Sequence, residues 1–346
     1  MCTYGLDVKQ FAHWFWCFVF AGTAVTIVSG AMAERCELVA YFAYSIIISG
    51  LVYPVVAHWA WTEHGWLAVN GYIDFAGSGV VHHLGGVCGF VGAVFLGPRI
   101  GRFDATGKPV NIPGHSVPLA ALGAFILLFG FFAFNGSTQG AISTPNDMMI
   151  VQRAVMNTMI GGCSSGLTTL LFFRYSGWPA GKWSLLSTIN GTLCGMITTC
   201  AFCNLAEPHI TFIVGIFAAF VYAFIHYAMI WLKIDDPLDA VAVHSGGGML
   251  GVLVTPLVIS KGGVFDAENG VTAMHQVWSQ LVGILVITAW SAIVSSVMFY
   301  ILKLNKKLRV SREMELQGLD QVKHGEAAYP AEAWEEVQYG VSFYLI

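Results

Sequence analysis

Charged residues are scarce in this chain. Asp, Glu, Lys and Arg make up 10% of its 346 residues, and hydrophobic residues make up 56%. A soluble domain carries about 25% charged residues, so an ordinary soluble domain is excluded and a polytopic membrane protein is predicted. The sequence also lacks a nucleic-acid-binding signature, so no nucleic-acid partner is expected.

A disulfide framework and a cleaved leader are also absent from the sequence pattern. Most of the eight cysteines lie inside apolar runs, and the pair Cys200 and Cys203 is flanked by apolar sequence, which favours packing. The first ten residues contain neither a basic region nor a small-residue cleavage site. The first apolar run is therefore expected to remain as an uncleaved anchor.

Apolar runs long enough to cross a bilayer as helices recur along the chain. Nine spans are predicted near residues 11–33, 38–61, 74–97, 115–134, 150–173, 184–205, 209–232, 238–259 and 273–302. The expected fold class is all-α, a polytopic membrane helical bundle over residues 1–302. A polar cytoplasmic C-terminal tail is predicted over 303–346.

Basic residues fall on one side of the predicted spans. Alternate loops and the start of the tail carry Arg35, Arg99, Arg102, Lys108, Arg174, Lys182, Lys233, Lys303, Lys306, Lys307, Arg309 and Arg312. The opposite loops are acidic, with Lys261 as their one clear basic residue. The positive-inside rule then predicts an N-terminus outside and a C-terminus in the cytoplasm.

Two histidine-bearing stretches resemble each other. Residues 81–89 align without gaps on 243–251, and the Val-His pair and three glycines coincide, so His82 matches His244. Upstream, Asp74 has a looser counterpart in Asp239. The histidines lie five spans apart, on helices of opposite direction, which predicts an inverted repeat with its site at the midplane. A chance likeness of two glycine-rich helices is the alternative.

The repeat also predicts what the first unit lacks. If the second unit of the repeat has five spans and ends at the eighth span, it begins at the fourth. The first unit then consists of the first three spans only. Two N-terminal helices are therefore expected to be missing.

Several motifs together resemble one transporter family. They are Ala33-Glu34-Arg35, Tyr53-Pro54, His58-Trp59-Ala60-Trp61, the stretch from Asp74 to His82, Gly97-Pro98-Arg99, Phe134-Asn135-Gly136, Asn190-Gly191, the stretch from Asp235 to His244, and Gly318-Leu319-Asp320 with His324-Gly325-Glu326. The chain resembles the ammonium transporters of the Amt/Mep/Rh family, and the Amt side because of Trp61 and the Asp-Phe-Ala-Gly motif.

The resemblance implies an inverted-repeat ammonium-transporter fold of eleven spans, of which about nine are present here. It implies a homotrimer in the plasma membrane, with one conduction path per subunit, and partners limited to ammonium or ammonia and the lipid bilayer. It also implies that Phe20 and Phe134 stack as a gate and that Trp61 lies at the outer vestibule. Thr138 occupies a position where the family usually has serine, and it still offers a hydroxyl.

Each candidate site residue also has a plainer interpretation. Trp61 would otherwise be an interfacial tryptophan, Phe20 a core residue and Thr138 a helix cap. His82 and His244 are expected to share a hydrogen bond along an apolar path, because neutral imidazole has one donor and one acceptor nitrogen; a buried helix–helix hydrogen bond without a transport role is the alternative. His83 lies about 100° around the helix and should face packing.

Asp74 begins a helix. A cap favoured by the positive helix end is its plain interpretation, and a carboxylate that polarises the cation site is the functional one. The two are compatible. Asp239 is expected to be only a cap.

The predicted function is ammonium transport, in which an outer aromatic site recruits ammonium and a twin-histidine pore conducts ammonia after deprotonation. The alternative is a non-conducting subunit that assembles with full-length transporters and regulates them. A membrane metalloenzyme using His82, His83 and His244 is a third hypothesis, but it lacks the carboxylate or cysteine ligands of catalytic zinc sites. No enzyme activity, cofactor or metal is expected.

Overall fold

The computed structural model describes residues 10–176, 181–259, 263–265 and 270–329. In these ranges all the regular secondary structure is helical, and extended residues form only isolated bridges. The helices are α1 (Phe11–Met32), α2 (Leu38–Ile47), α3 (Tyr53–Trp61), α4 (Trp66–Val69), α5 (Leu84–Leu96), α6 (Val117–Ser137), α7 (Pro145–Tyr175), α8 (Leu185–Thr199), α9 (Pro208–Trp231), α10 (Gly247–Val258), α11 (Gly270–Leu304) and α12 (Arg312–Gln317). The prediction of an all-α membrane bundle is confirmed.

Seven helical stretches of the described residues are long and apolar enough to cross a membrane. Helices α7 and α8 match the fifth and sixth predicted spans, which brings the count to about nine. Helix α7 is rich in polar residues, and α8 has 15 residues and a length of about 22 Å. Several predicted boundaries shift by a few residues, as at α7, which begins at Pro145 rather than near residue 150.

Proline and capping side chains explain where three of the helices begin. Helices α6, α7 and α9 each carry proline in the first turn, where a missing N–H costs nothing. At α7 the Thr144 hydroxyl accepts the N–H of Asp147 at 3.1 Å, and the Asp147 carboxylate accepts the N–H of Thr144 at 3.1 Å. This reciprocal capping box fixes the start of the helix.

Four π-helical turns occur among the described residues. Asp320–His324 follows α12, the other three lie within the bundle, and two of these carry the candidate histidines. Ser78–His83 leads into α5, and Val241–Gly246 leads into α10. The third, Ile48–Val52, joins α2 to α3. The stretch Ser78–Leu96 is the most enclosed of the candidate spans. Of its 19 residues 16 are buried, whereas 4 of the 21 residues of Val117–Ser137 are buried. The first histidine therefore lies at the centre of the bundle.

Two glycines let the histidine turns approach each other closely. A Cβ at Gly86 would lie 2.4 Å from the Ser245 nitrogen, and one at Gly248 would lie 2.7 Å from the His83 nitrogen. The sequence offset of 162 that separates His82 from His244 also relates Gly86 to Gly248 and His83 to Ser245. Gly86 with Ser245 and Gly248 with His83 are therefore equivalent contacts, in which the two halves of the repeat exchange roles. An inverted repeat requires this symmetry.

Replacing Gly248 with alanine should destabilise the protein by about 1–3 kcal/mol, because the added Cβ meets backbone atoms that cannot move aside. It would lie 2.2 Å from the Ser78 oxygen. Gly123→Ala in α6 is the matched control, since among the described residues its Cβ would meet nothing within 4 Å. Thermal unfolding in detergent should show a loss only for Gly248→Ala; equal unfolding temperatures would contradict the close contact.

One end of the bundle is held by a buried ionic cluster around Asp235. Arg99 donates to its carboxylate from Nε at 2.8 Å and from Nη2 at 3.2 Å, and Arg102 donates from Nε at 3.2 Å. Arg35 donates to the Asp235 carbonyl at 2.7 Å. Burial alone would raise the pKa of Asp235, but the hydrogen bonds and charge of Arg99 outweigh it and hold the pKa below its ordinary value.

The segment after α11 packs against the same end of the bundle. Val310 N–H donates to the Arg35 carbonyl at 3.1 Å, and Arg309 donates to the Leu96 carbonyl at 2.8 Å. Arg309 also pairs with Glu315 at 2.9 Å, and the Glu315 carboxylate accepts the N–H of Ile100 at 2.8 Å. The start of the segment is thus attached to the ends of α1 and α5. The predicted boundary between a membrane domain and a tail stays a prediction.

Candidate functional site

Aromatic rings stack at the end of the bundle where α3 ends. The Phe20 and Phe134 rings lie 3.9 Å apart between centroids and 18° from parallel. Trp16 stacks on Phe20 at 4.0 Å, and the Trp61 ring meets the edge of Phe20 at 5.8 Å. Phe20 is 1% exposed. The predicted pair of phenylalanines is therefore brought together face to face, with Trp61 next to it.

Asp74 holds the loop between α4 and the first histidine turn. Its carboxylate accepts four backbone N–H groups, from Gly77, Ser78, Gly79 and Val80, at 2.8–3.0 Å. The Trp61 indole donates to the Asp74 carbonyl at 2.7 Å. Asp74 thus caps the helix start, as its plain interpretation predicted, and it also fixes the orientation of Trp61.

His82 and His244 meet in the middle of the bundle. Their Nδ1 atoms lie 3.2 Å apart, and their rings are 5.3 Å apart and 19° from parallel. The His82 ring also lies 5.5 Å from both Phe131 and Phe134. The histidines therefore directly continue the line of aromatic rings that begins at Trp16.

The His82 Nε2 atom is buried and has no hydrogen-bond partner among the described residues. In a neutral pair one Nδ1 donates to the other, so each ring keeps one further nitrogen for another hydrogen bond. A buried polar atom without a partner costs about 1–3 kcal/mol. A small polar molecule bound at this atom would remove that cost.

Thr138 lies at a recess beyond the aromatic stack. The recess has a volume of about 500 Å³ and is lined in part by Trp16, Ser137 and Thr138. The Thr138 hydroxyl donates to the Phe134 carbonyl at 2.9 Å, so its proton is used and its oxygen remains an acceptor. Thr138 and Trp16 line the same recess, and Ser137 offers a second hydroxyl there.

Two residues of the aromatic line were not predicted from the sequence. Trp16 stacks on Phe20, and Phe131 stacks on His82. Trp16 precedes Phe20 by four residues and Phe131 precedes Phe134 by three, so each shares a helix face with a predicted gate residue. This helical spacing is the sequence signal that could have identified Trp16 and Phe131.

Asp236, rather than Asp239, is the counterpart of Asp74. The Asp236 carboxylate accepts the N–H of Val241 at 2.7 Å, just as Asp74 accepts that of Gly79, and both pairs obey the offset of 162. Burial and the nearby Asp239 raise the pKa of Asp236 to about 7. The prediction that Asp239 is only a cap was wrong because the looser alignment gave it the wrong partner.

Asp239 takes the backbone position of a glycine. It matches Gly77 in the first half, and both adopt a positive φ, of 56° and 97° respectively. Its carboxylate accepts hydrogen bonds from Tyr222 at 2.9 Å and Asn190 at 3.2 Å, and it contacts His226 Nδ1 at 2.7 Å. This residue therefore links α8 and α9 to the second histidine turn.

His83 is 3% exposed and points away from the pair. Its Nδ1 lies 3.1 Å from the Ser245 hydroxyl, and its Nε2 lies 2.7 Å from the Thr288 hydroxyl. The prediction that it faces packing is confirmed by its burial, but the sequence did not show that both ring nitrogens are hydrogen-bonded. In the described ranges no group of His, Cys, Asp and Glu side chains could hold a metal ion.

Comparison with known proteins gives consistent matches. The Ammonium Transporter Family matches residues 4–329. A Caenorhabditis elegans protein named putative ammonium transporter 1 is 46% identical over 94% of this chain, and a Dictyostelium discoideum protein named ammonium transporter 3 is 35% identical over 94%. The chain spans 64% of the length of the first relative and 76% of the second.

Solved structures share the fold. A structure titled Sensor Amt Protein matches with a TM-score of 0.81 and 35% identity over 88% of this chain and 75% of its own. Candida albicans Mep2 matches with a TM-score of 0.72 and 28% identity over 85% of this chain and 65% of its own. The chain therefore belongs to the ammonium transporter family, on its Amt side, a family of membrane transporters and not of enzymes.

Proposed function

We propose that the chain conducts ammonium nitrogen across a membrane, with ammonia passing the His82–His244 pair. The observation that carries the proposal is the buried His82 Nε2, which lacks a partner among the described residues and lies behind the Phe20–Phe134 stack. An apolar line of rings excludes a hydrated cation, since a charge is far more costly to desolvate than a neutral molecule. Ammonia can enter and hydrogen-bond to an imidazole.

Ammonium is recruited on the side of the Phe20–Phe134 stack where Trp16 and Trp61 lie. The face of an aromatic ring attracts a cation within about 6 Å of its centroid by ~0.5–2 kcal/mol. Trp61 and Trp16 offer such rings 5.7 Å apart, beside the recess that Thr138 lines. Ammonium resembles potassium in size but can lose a proton, so selectivity follows if the proton is removed between this site and His82. Asp74, whose carboxylate is used by four N–H groups, acts here by holding Trp61.

We also propose that the chain lies in the plasma membrane with its N-terminus outside and its C-terminus in the cytoplasm. The support is the basic cluster of Arg35, Arg99 and Arg102 at the Asp235 end of the bundle. We also propose a homotrimer, as the family resemblance implies. Helix α6 exposes large apolar side chains, including Phe125 at 69% and Phe129 at 77%, which lipid or a neighbouring subunit can cover.

Expression of the chain in cells that lack ammonium uptake tests the proposal. Growth on limiting ammonium should be restored, because the chain contains the whole line from Trp61 to His244. Cells producing the doubly substituted His82→Ala/His244→Ala chain at the same membrane level should not grow. Growth only when a full-length transporter is co-expressed would favour a regulatory subunit, and no effect in either case would contradict a transport role.

A further inference from the structure

A third histidine lies beside the pair and is bonded to neither member. His83 contacts Ser245, the residue after His244, and Thr288 of α11. It is 3% exposed, and the transport path described above does not use it. Its bonds connect three elements: the first histidine turn, the second histidine turn and α11.

Two tautomers of His83 fit its hydrogen bonds, and both join the ring to Ser245. With the hydrogen on Nε2, the ring donates to the Thr288 hydroxyl, whose own proton goes to the Ile284 carbonyl at 2.7 Å, and Nδ1 accepts from the Ser245 hydroxyl at 3.1 Å. With the hydrogen on Nδ1, the ring donates to the Ser245 carbonyl at 3.1 Å and accepts from Thr288. We assign the first tautomer, because it keeps the Thr288–Ile284 bond and gives the Ser245 hydroxyl proton an acceptor.

Ser245 is held on a second side by the backbone of α5. Gly86 brings that backbone so close that an added Cβ would lie 2.4 Å from the Ser245 nitrogen and 2.7 Å from its Cβ. The hydrogen bond from Ser245 to His83 locks the same residue through its side chain. Because Ser245 follows His244 within one turn, its placement sets where the His244 ring can lie.

We propose that His83 is a positioning residue for selectivity. Through Ser245 it keeps the second histidine turn against the first, so the Nδ1 atoms of His82 and His244 stay 3.2 Å apart. This inference rests on the proposed ammonia path. Loss of the His83–Ser245 bond lets His244 move away from His82, and the wider gap admits water and with it a potassium ion.

A pair of substitutions separates the two bonds of His83. His83→Asn places an acceptor oxygen where Nδ1 was and keeps the bond to Ser245, whereas His83→Gln places a donor nitrogen near Thr288 and removes that acceptor. We expect His83→Asn to keep the wild-type ratio of ammonium to potassium conductance. We expect His83→Gln and Ser245→Ala each to lower it about tenfold, which corresponds to ~1.4 kcal/mol.

Two further variants act as controls. Thr288→Val removes the bond on the far side of the ring and should leave the ratio unchanged. The double variant His83→Gln/Ser245→Ala should be no worse than either single variant, because both remove the same bond. An equal loss in His83→Asn and His83→Gln, or a full loss in Thr288→Val, would show general damage to packing and overturn the inference.

A spectroscopic measurement decides the inference independently of transport. In purified protein with ¹⁵N-labelled histidine, His83 Nδ1 should show the resonance of a non-protonated nitrogen. Ser245→Ala should shift that signal and those of His244, whereas Thr288→Val should leave the His244 signals in place. Unmoved His244 signals in Ser245→Ala would refute the positioning role. Failure of the wild-type chain to conduct ammonium would instead refute the proposed function, and the resonances would still test this inference.

Discussion

Replacing His82 or His244 with glutamate is expected to convert a path for ammonia into a leak for potassium. The His82 Nε2 is buried, and the pair is joined through Nδ1 atoms 3.2 Å apart. A carboxylate at that depth can accompany a cation that keeps its charge, so deprotonation is no longer required. Potassium current should rise, and the ratio of ammonium to potassium conductance should fall at least about tenfold, or ~1.4 kcal/mol.

Alanine at the same position gives the complementary result. His82→Ala leaves His244 with an unpaired polar edge in an apolar path, at a cost of about 1–3 kcal/mol. Ammonium conductance should therefore fall. Potassium current should not rise, because alanine brings no carboxylate. His209→Glu is the matched control, because His209 is exposed at the beginning of α9, whereas His82 is 1% exposed. Unchanged transport and selectivity in His82→Ala, His82→Glu and His244→Glu would leave the pair as a structural hydrogen bond.

The largest loss of stability is expected for Asp235→Ala. The side chain is 1% exposed and balances two arginines, and Arg99 is itself 9% exposed. Removing one partner of a buried ion pair leaves the other charge uncompensated and costs about 3–5 kcal/mol. Thermal unfolding in detergent should show the loss. Glu34→Gln is the control: it breaks a pair with the same Arg99, but Glu34 is 57% exposed and its pair contributes about 0–1 kcal/mol.

The ionic cluster also predicts how wild-type stability depends on pH. The folded pKa of Asp235 lies below its unfolded value of about 3.9, so the stabilisation is fully present above that pH and is lost as the pH falls through the folded pKa. Asp235→Ala should remove this acid-dependent part of the unfolding curve. If Asp235→Ala keeps the wild-type acid dependence, that dependence comes from other carboxylates.

The sequence predicted the architecture because membrane helices leave a simple signal. Long apolar runs gave the approximate spans, and the matching Val-His stretches indicated two helices of opposite direction around a shared site. Boundaries were less accurate because side-chain capping, which the apolar pattern does not record, decides them. At α7 the Thr144–Asp147 pair and Pro145 begin the helix several residues before the apolar run.

The sequence predicted only those site residues that belong to a recognisable motif or repeat. Phe20 and Phe134 were named because they match a family pattern, and His82 and His244 because their stretches repeat within the chain. The structure brings these rings into one line. Trp16 was not named because stacking between rings on one helix looks the same in sequence as ordinary packing. The hydrogen bonds of His83 were hidden for a different reason: its partners lie 162 and 205 residues away in the chain.

The π-helical turns change the phase at which each histidine meets the helix that follows it. Ser78–His83 leads directly into α5 and Val241–Gly246 leads directly into α10, one residue out of the register given by the offset of 162. A π turn holds one residue more than an α turn, and one residue turns an α-helix by about 100°. Each turn therefore shifts the residues it carries relative to the glycine-rich helix after it. The two imidazoles thus face each other through a change of helical phase that a regular α-helix would not provide.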